Sequence, residues 1–452
     1  MATFDKKAPG VYVEEISKLP PSVASVATAI PGFVGYTERG TRNTAIRVES
    51  LIDFEEKFGY ACKIAISDEE NKINGLEYKL HESMRLFYAN GGGTCYVVSV
   101  GNYTDAISNT ALETGISMLE PIDEVTMIVV PDAVSLETDK LASVQNAALA
   151  QCLELKDRVA ILDVKDTGNC NTDATNFRNS IGTKGASYGA AYYPYIKSVY
   201  DREINVYDIY KGLELSNNEL ENAQYYAELS EPTEESTLFA KQLMSKPEYA
   251  KLVAKIQEQA NLLPPSGAIA GIYCANDNQR GVWHAPANMS VSGISDINVR
   301  ISDKQQGELN ENTSGKCINA IRAFQGKGIL VWGARTLDGL SSEWKYISVR
   351  RFFNYVEESI QESTAWAVFQ PNDANTWVKV GCQIENCLSN LWRDGALAGS
   401  TPQEAFYVRV GINQTMTAQD ILNGYMIVEI GMAAVRPAEF IVLQFSHKLQ
   451  ES

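Results

Sequence analysis

Residues 125–164 read VTMIVVPDAVSLETDKLASVQNAALAQCLELKDRVAILDV, and this stretch decides the class of fold. Val125–Val130 and Val159–Val164 are short runs of mainly apolar and β-branched residues, which is typical of buried strands. The segment Leu136–Leu155 between them has the length of a helix. Because strand, helix and strand follow one another, the stretch predicts an α/β layer.

The same alternation continues on both sides of this stretch. It predicts strands at Ile30–Tyr36 and Cys95–Val100 and helices around Asp53–Phe58 and over Gly75–Ala89. Further along, it predicts helices at Pro247 to about Leu262, Ser341–Thr364 and Asp373–Trp392, and strands at Ile329–Trp332 and Ala405–Val410. The predicted fold class is therefore a multidomain chain of mixed α/β and α+β type.

Both ends of the chain carry short strand candidates with little sequence to cover them. The candidate near the start consists of Val11, Tyr12, Val13, Glu14 and Ile16. A tether rich in Pro, Ser and Ala follows it over Leu19–Thr28. The candidate near the end consists of Phe440, Ile441, Val442, Leu443 and Phe445. An unpaired strand favours pairing with another chain, so we predict that both segments join sheets of neighbouring subunits.

Composition excludes several classes of protein. The 452 residues carry a formal net charge of −17, which argues against a general binder of nucleic acid or anionic membrane. The eight cysteines contain no CxxC pair, and we expect reduced thiols. We find no secretory signal, and the uncharged Leu19–Thr37 carries three prolines, so we expect no membrane span. Glu214–Glu235 contains seven Glu and no Lys or Arg, which predicts a solvated surface excursion.

Catalytic patterns are weak. The three histidines are His81 in a predicted helix, His447 near the end and His284, so a histidine-dependent site would rest on His284. The run Gly91–Gly93 precedes a strand and lacks the GK[ST] ending of a phosphate loop, so we interpret it as a turn. We therefore expect no enzyme activity and no catalytic, cofactor-binding or metal site. An α/β enzyme of unknown substrate is the alternative that these patterns disfavour.

Six phrases occur in order along the chain: APGVYVEEI, PGFVGYTERG, PPSGAIAGIYCANDNQRGVWHAPAN, GKGILVWGARTLD, WKYISVRRFFNYVEESI and RPAEFIVLQF. Together they closely resemble the contractile tail sheath family of phages and related contractile injection systems. The resemblance runs from Pro9 to about Phe445 and is densest after Pro264.

This resemblance implies an organisation in four parts. It implies an N-terminal arm over residues 1–28 and an outer α/β region over residues 29–325. It also implies an inner α+β core domain over residues 326–435 and a C-terminal arm over residues 436–452. The two arms would donate their strands to neighbouring subunits.

The resemblance also implies a function. The chain would polymerise as stacked sixfold rings around an inner tube, and contraction would drive the tube through a target envelope. Its partners would be further copies of itself, the inner tube protein, and baseplate and terminal cap proteins, with or without sheath paralogues. Nucleic acid and direct membrane insertion are not expected. Assembly would take place in the bacterial cytoplasm, in a phage virion or an injection-system particle.

Contacts to the tube are assigned by the same resemblance, because the C-terminal helical region of sheath proteins faces the tube. Lys379 and Arg393 are the candidates in this chain. Arg350 and Arg351 are a less favoured pair, since guanidinium groups among aromatic residues commonly bind carboxylates or carbonyls of their own chain. A baseplate or tube component of the same machine is a further alternative, which the length and the phrases GVWHAPAN and VWGARTL disfavour.

Overall fold

The computed structural model describes residue 23 and residues 26–67, 72–229, 231–311 and 313–440. The described chain divides into two compact units. We call Val26–Glu358, together with the chain from Ala434 onward, the large unit, and Ser359–Ala433 the small unit.

Sixteen strands occur in the described ranges. They are β1 Pro31–Tyr36, β2 Ala45–Val48, β3 Ala65–Ile66, β4 Ile73–Asn74, β5 Cys95–Gly101, β6 Met127–Val129, β7 Val159–Asp163, β8 Gly189–Tyr193, β9 Ile196–Ser198, β10 Leu262–Leu263, β11 Met289–Ser290, β12 Ile294–Ile297, β13 Ile318–Phe324, β14 Gly328–Trp332, β15 Phe406–Val410 and β16 Val428–Met432.

Fifteen α-helices accompany these strands in the same part of the chain. They are α1 Leu51–Phe58, α2 Leu80–Ala89, α3 Asn109–Ser117, α4 Thr138–Leu155, α5 Cys170–Ser180, α6 Val206–Ile209, α7 Asn217–Ala227, α8 Glu234–Met244, α9 Pro247–Ala260, α10 Ser266–Arg280, α11 Asp303–Asn310, α12 Ile347–Thr364, α13 Ala374–Arg393, α14 Pro402–Ala405 and α15 Ala418–Leu422. Short 3₁₀ helices occur at Pro131–Ser135, Ala186–Tyr188, Tyr210–Gly212 and Ala365–Ala367.

The large unit is built on a nine-stranded sheet with the order β11-β14-β13-β8-β7-β6-β1-β5-β2. The central strands from β13 to β5 all run parallel. Antiparallel pairings flank them: β2 pairs with β5 at one edge, and β14 pairs with β13 and β11 with β14 at the other. Parallel strands are normally covered on both faces by helices, because each crossover connection places a helix on the sheet.

Side chains that alternate along the strands form two cores. Val34 and Ile128 belong to the core on the face of α3, α4 and α5. Their sequence neighbours Phe33 and Met127 belong to the core on the opposite face, with α1, α2 and α10. Successive side chains of a strand point to opposite faces, so a continuous apolar run contributes to both cores. The apolar runs in residues 125–164 predict this arrangement.

A helical excursion, α6 to α9, connects β9 to β10, which pair in a separate three-stranded sheet of order β10-β9-β12. Small apolar clusters that include Ile209, Ile256 and Leu243 hold it together. Of the seven Glu in residues 214–235, six are exposed, and Glu219 lies 2.9 Å from the Lys246 ammonium group. The excursion is therefore solvated, as its composition predicts.

The small unit contains α13, the hairpin β15–β16, and the short helices α14 and α15. Side chains on one face of α13 are buried, including Val380, Ile384 and Leu388, and α13 packs against β15. Asp373 caps this helix by accepting the Thr376 N–H at 3.0 Å.

The helices and strands predicted between Ile30 and Val410 exist, and two of these predicted helices begin too early. α2 begins at Leu80 rather than Gly75, because Gly75 has a φ of +88°. α12 begins at Ile347 rather than Ser341, because the preceding chain folds back and the Thr336 N–H donates to the Lys345 carbonyl at 2.9 Å. The border expected after residue 325 falls in the turn of the paired strands β13 and β14, and the compact units divide after Glu358 instead.

We predict that Gly115→Ala lowers the free energy of unfolding by about 1–2 kcal/mol, because overpacking outweighs the gain in helix propensity. A Cβ at Gly115 would lie 2.4 Å from Val34 Cγ1 and 2.5 Å from Val100 Cγ1. The control is Gly307→Ala in α11, where a Cβ meets nothing within 4 Å. That variant should gain about 0.5–1 kcal/mol in urea unfolding. Equal effects of both substitutions would contradict this account of how α3 packs on the sheet.

Candidate interaction surfaces

The residues predicted to pair with neighbouring subunits lie almost wholly outside the described part of the chain. This holds for Val11, Tyr12, Val13, Glu14 and Ile16, and for Ile441, Val442, Leu443 and Phe445. Phe440 is the last described residue, and its side chain is 69% exposed. The pairing of both segments stays a prediction.

The hairpin β15–β16 of the small unit is a candidate acceptor for such strands. Its antiparallel register runs from Phe406 opposite Met432 to Val410 opposite Val428. Within the described residues no third strand joins either edge, so both outer edges present backbone N–H and C=O groups. A two-stranded sheet is marginally stable alone, and additional strands would stabilise it.

Lys379 and Arg393, the predicted tube contacts, are both exposed on α13. They are fourteen residues apart, which places them within about 40° of each other around the helix and roughly 21 Å apart along it. The Arg393 guanidinium lies 3.4 Å from Asn390 Oδ1, and Val378 and Cys382 are also exposed on this helix. The structure therefore brings the two cations to one accessible helix face, and their partner stays untested.

The loop between the last 3₁₀ helix and α13 presents two apolar side chains. Val368 is 62% exposed, and Phe369 is fully exposed with a φ of +63°, in a region that bulky residues rarely adopt. The base of the loop is held, because Trp366 Nε1 donates to Gln383 Oε1 at 2.8 Å. A supported loop that exposes a phenylalanine is a second candidate contact on the small unit, and nothing in the sequence analysis singles it out.

Arg350 is buried in the large unit. Its guanidinium carbon lies 3.9 Å from the ring centroid of Trp344 and 4.7 Å from that of Tyr188. Arg350 Nε donates to Asn354 Oδ1 at 2.8 Å, and burial lowers the pKa of the guanidinium. The side chain has intrachain partners, so we do not carry it forward as a tube contact.

Arg351 is also buried, and it is fully engaged. Its guanidinium donates to both carboxylate oxygens of Asp277, at 3.0 and 2.6 Å, and to the Thr28 carbonyl at 2.9 Å. It also lies over the Tyr273 ring, 4.6 Å from the centroid. A tube contact would need a guanidinium that is free to reach another chain. The intrachain contacts of Arg351 therefore argue against this role.

An ion pair between a buried arginine and a partly buried glutamate joins two of the quoted phrases, and no sequence pattern indicates it. Arg335 of VWGARTLD donates to Glu439 of RPAEFIVLQF through Nε at 2.8 Å and Nη2 at 2.6 Å. Tyr346 Oη donates to the same carboxylate at 3.1 Å. The two charged residues are 104 positions apart, so only a three-dimensional arrangement reveals the pair.

Two buried aspartates lie at the carboxyl edge of the parallel strands, where each accepts hydrogen bonds from the N-terminus of a helix. Asp132 accepts the N–H groups of Tyr36, Lys79 and Leu80 at 2.6, 2.5 and 2.9 Å, which places its carboxylate at the N-terminus of α2. Asp163 accepts the N–H and the hydroxyl of Ser266, at 2.9 and 2.5 Å, at the N-terminus of α10.

Burial raises the pKa of both carboxyls, to about 6 for Asp132 and about 7 for Asp163, although the accepted hydrogen bonds lower it. In open α/β sheets, ligands commonly bind at the carboxyl edge and phosphates at helix N-termini. Here the protein's own carboxylates take the N–H groups of α2 and α10.

The remaining features identify no further site. His81 Nε2 lies 3.2 Å from Glu55 Oε1, His284 is exposed in a turn, and His447 lies outside the described ranges. All eight cysteines carry free thiols. In the part of the chain that the structure describes, no His, Cys, Asp and Glu side chains group to hold a metal ion. Among the same residues, no helix has the length and apolarity needed to cross a bilayer.

Comparison with known proteins gives consistent matches. The family description "phage tail sheath protein central domain" matches residues 105–337, and "phage tail sheath C-terminal domain" matches residues 341–448. The sheath of the PVC extracellular contractile injection system, solved in its contracted state, is 31% identical with a TM-score of 0.69 over 99% of both chains. A chain in the baseplate structure of the anti-feeding prophage is also 31% identical, with a TM-score of 0.67, over 98% of this chain and 99% of that one.

A curated relative is more distant. The tail sheath protein of Vibrio phage KVP40 is 23% identical over 192 residues, which is 42% of this chain and 27% of that protein. The chain thus matches about a quarter of the phage protein's length.

These matches identify a contractile sheath subunit, with the mixed helices and strands and the large mixed sheet of known sheath structures. The chain belongs to the phage tail sheath family.

We predict that Asp163→Asn stabilises the protein more at pH 8 than at pH 5, because the wild type loses only part of this stability by pH 5. The folded-state pKa of about 7 lies above the usual value near 3.9, so the native state keeps a proton that the unfolded state loses in this window. The wild type therefore loses stability as pH rises through the window, and a neutral amide does not.

The expected gain at pH 8 is on the order of 2–4 kcal/mol in chemical denaturation. Asp163→Leu is the control, because it removes the charge together with the acceptor for the Ser266 N–H and should destabilise at both pH values. A gain for Asp163→Asn that does not change with pH would contradict the proposed buried charge.

Proposed function

We propose that this chain polymerises as stacked sixfold rings around an inner tube, and that contraction of the resulting sheath drives the tube through a target envelope. The observation that carries the proposal is the similarity over 99% of both chains to the PVC sheath in its contracted state. The free energy for contraction would come from assembly into a metastable extended state that rearranges to a lower one. Baseplate and terminal cap proteins would bound the cylinder.

Strand donation is the proposed link between subunits. The hairpin β15–β16 has two edges without a strand partner in the described ranges, and the chain offers one strand candidate near each end. The number of available edges thus equals the number of strands that each subunit can donate. Because edge pairing between chains satisfies the backbone groups of both partners, it supports a mesh of identical subunits.

The energy of one donated strand explains why the mesh would form only as an array. Four to six hydrogen bonds contribute about 0.5–1.5 kcal/mol each, and each buried large apolar side chain adds roughly 1.5–3 kcal/mol. Ordering the strand costs about 1–2 kcal/mol per residue, so the contributions nearly cancel. A single strand is marginal, and several connections per subunit together are stable.

The proposed tube contact lies on the small unit. Lys379 and Arg393 supply two exposed cations on one face of α13, and exposed ion pairs of about 0–1 kcal/mol each would hold a tube without locking it. Such weak contacts suit a partner that must be released when the sheath widens. The acidic excursion over Glu214–Glu235 is proposed to face solvent on the outside of the cylinder.

A structural role without catalysis fits the carboxyl edge of the sheet. Asp132 and Asp163 bind the N–H groups that a phosphate would use in an α/β enzyme. Assembly in the bacterial cytoplasm, before the particle acts, is part of the proposal.

A second candidate is a sheath-like ring next to a baseplate. The similarity to a chain in the anti-feeding prophage baseplate structure favours it. Electron microscopy of the native assembly separates the two candidates, because a sheath gives long tubes and a baseplate ring gives short discs.

Deleting residues 1–18 is expected to leave a folded chain that no longer forms contractile tubes, because each subunit loses one donated strand. A sharper variant is Val13→Pro, since proline cannot donate a ladder hydrogen bond. Val13→Thr is its control, because threonine keeps a high β propensity. Circular dichroism checks folding, and negative-stain microscopy counts tubes. Normal contractile tubes from the deletion would contradict strand donation by this segment.

Charge reversal at Lys379 and Arg393 tests the tube contact. Lys379→Glu/Arg393→Glu should give sheaths that polymerise but contain no tube or contract prematurely, because the weak polar contacts become repulsive. The control Lys251→Glu/Lys255→Glu makes the same charge change at exposed positions of α9. Cryo-electron microscopy of co-expressed sheath and tube counts filled particles. A wild-type frequency of filled, extended particles would place the contact elsewhere.

A further inference from the structure

We propose that Arg335 and Arg351 anchor the two terminal segments to the large unit and transmit the load that neighbouring subunits place on those segments. This inference rests on the proposed function, because load arises only if the terminal segments pair with other chains. The two ends of the described chain share one arrangement. At each end, a buried arginine binds the terminal segment through charge-assisted hydrogen bonds.

The C-terminal anchor is the carboxylate of Glu439. It accepts two hydrogen bonds from Arg335, through Nε and Nη2, and a third from Tyr346 Oη. Bidentate arginine–carboxylate pairs are strong and directional. The Arg335 side chain is 1% exposed, whereas the next residue after the anchor, Phe440, is 69% exposed. The segment that Arg335 binds thus ends at Glu439, and the proposed donated strand begins at Phe440.

The backbone of Arg335 is itself fixed to the central sheet. Its N–H donates to Asn319 Oδ1 at 2.7 Å, and Asn319 Nδ2 donates back to its carbonyl at 2.8 Å. Asn319 lies on β13 and is fully buried. A pull on Glu439 therefore passes through the Arg335 side chain into the nine-stranded sheet, with Tyr346 as a second holding side chain.

The N-terminal anchor is built from Arg351 on α12 and Asp277 on α10. The two side chains are each 3% exposed, and Arg351 Nη2 donates to the Thr28 carbonyl at 2.9 Å. The Cys274 thiol donates to the adjacent Ala29 carbonyl at 3.3 Å, and β1 begins two residues later at Pro31. A pull on this segment is therefore shared by β1, α10 and α12.

The anchors determine how much a donated strand can move relative to the body that donates it. If Glu439 were released, the six residues Ala434–Glu439 could span any distance up to roughly 20 Å, at about 3.3 Å per residue. That range exceeds the spacing of about 4.8 Å between paired strands, so the body would no longer fix the position of its donated strand. An anchored strand would link the donor subunit rigidly to the acceptor subunit. A released strand would link the two subunits only through a flexible segment.

The test uses the double variant Arg335→Met/Glu439→Leu in the full-length chain, with Arg351→Met/Asp277→Leu as its N-terminal counterpart. Replacing both partners of a buried ion pair by apolar residues of similar volume is often neutral for stability, whereas removing one partner is not. The control is Arg322→Met/Asp303→Asn, which removes a 2.8 Å ion pair between β13 and α11 whose aspartate is exposed.

Hydrogen exchange on the unassembled chain gives the first readout. In Arg335→Met/Glu439→Leu, the amides of residues 434–440 other than Pro437 should exchange about tenfold faster or more, while β7 and the melting temperature stay as in the wild type. The control should leave exchange in this segment unchanged. Unchanged exchange in the double variant would overturn the assignment of the anchor, whatever the function of the protein.

Electron microscopy of assembled sheaths gives the second readout, which a merely structural role would not change. Sheaths of the anchor variants should form, but with a wider spread of ring spacing and fewer complete contractions than those of the wild type and the control. Wild-type ring spacing and contraction in an anchor variant would overturn the proposal.

Absence of sheaths from the wild-type chain would instead contradict the proposed function. If the double variant fails to fold, Arg335→Lys gives the same comparison, because it keeps the charge and loses the bidentate geometry.

Discussion

Every backbone N–H and C=O group that leaves water needs a partner, and this constraint governs both units. The large unit meets it internally at its central strands. Its parallel strands pair side by side, and Asp132 and Asp163 accept the N–H groups at the starts of α2 and α10. The small unit does not meet it in the same way, because β15–β16 is a pair with two open edges within the described residues. One chain thus combines a large unit with an internally paired central sheet and a hairpin with unpaired edges. This combination suits a subunit whose hairpin pairs with strands of other copies.

Assembly then depends on how the terminal segments join the large unit. Arg351 binds the Thr28 carbonyl and Arg335 binds the Glu439 carboxylate, and both guanidinium groups are buried. The energetics of strand addition favour many weak links over a single strong one, since ordering a strand offsets most of what its pairing contributes. Rigid anchoring and weak pairing are therefore complementary: pairing decides whether subunits associate, and anchoring decides how movement passes between them.

The sequence predicts local features well and long-range features poorly. The strands β1, β5, β6 and β7 are foreseen because their apolar runs are continuous, which follows from burial on both faces. The helix α10 is not foreseen, because its Gly- and Ala-rich sequence is buried nearly all round and has no amphipathic period. The pair Arg335–Glu439 joins residues 104 positions apart, which no local pattern can predict. Arg351 illustrates the same limit, since its partners Asp277 and Thr28 lie on distant segments. Lys379 and Arg393 are accessible because they lie on the polar face of one amphipathic helix, and their contact with a tube stays a prediction.

The most direct measurement is a cryo-electron microscopy reconstruction of the assembled protein at a resolution that traces the strands beside β15–β16. The account predicts that residues 11–16 and 440–445 of other subunits extend this hairpin beyond two strands. It also predicts that each donor chain stays bound to its own Arg351 and Arg335. A hairpin that remains two-stranded in the assembly, or one extended by segments of its own chain, would contradict the central claim.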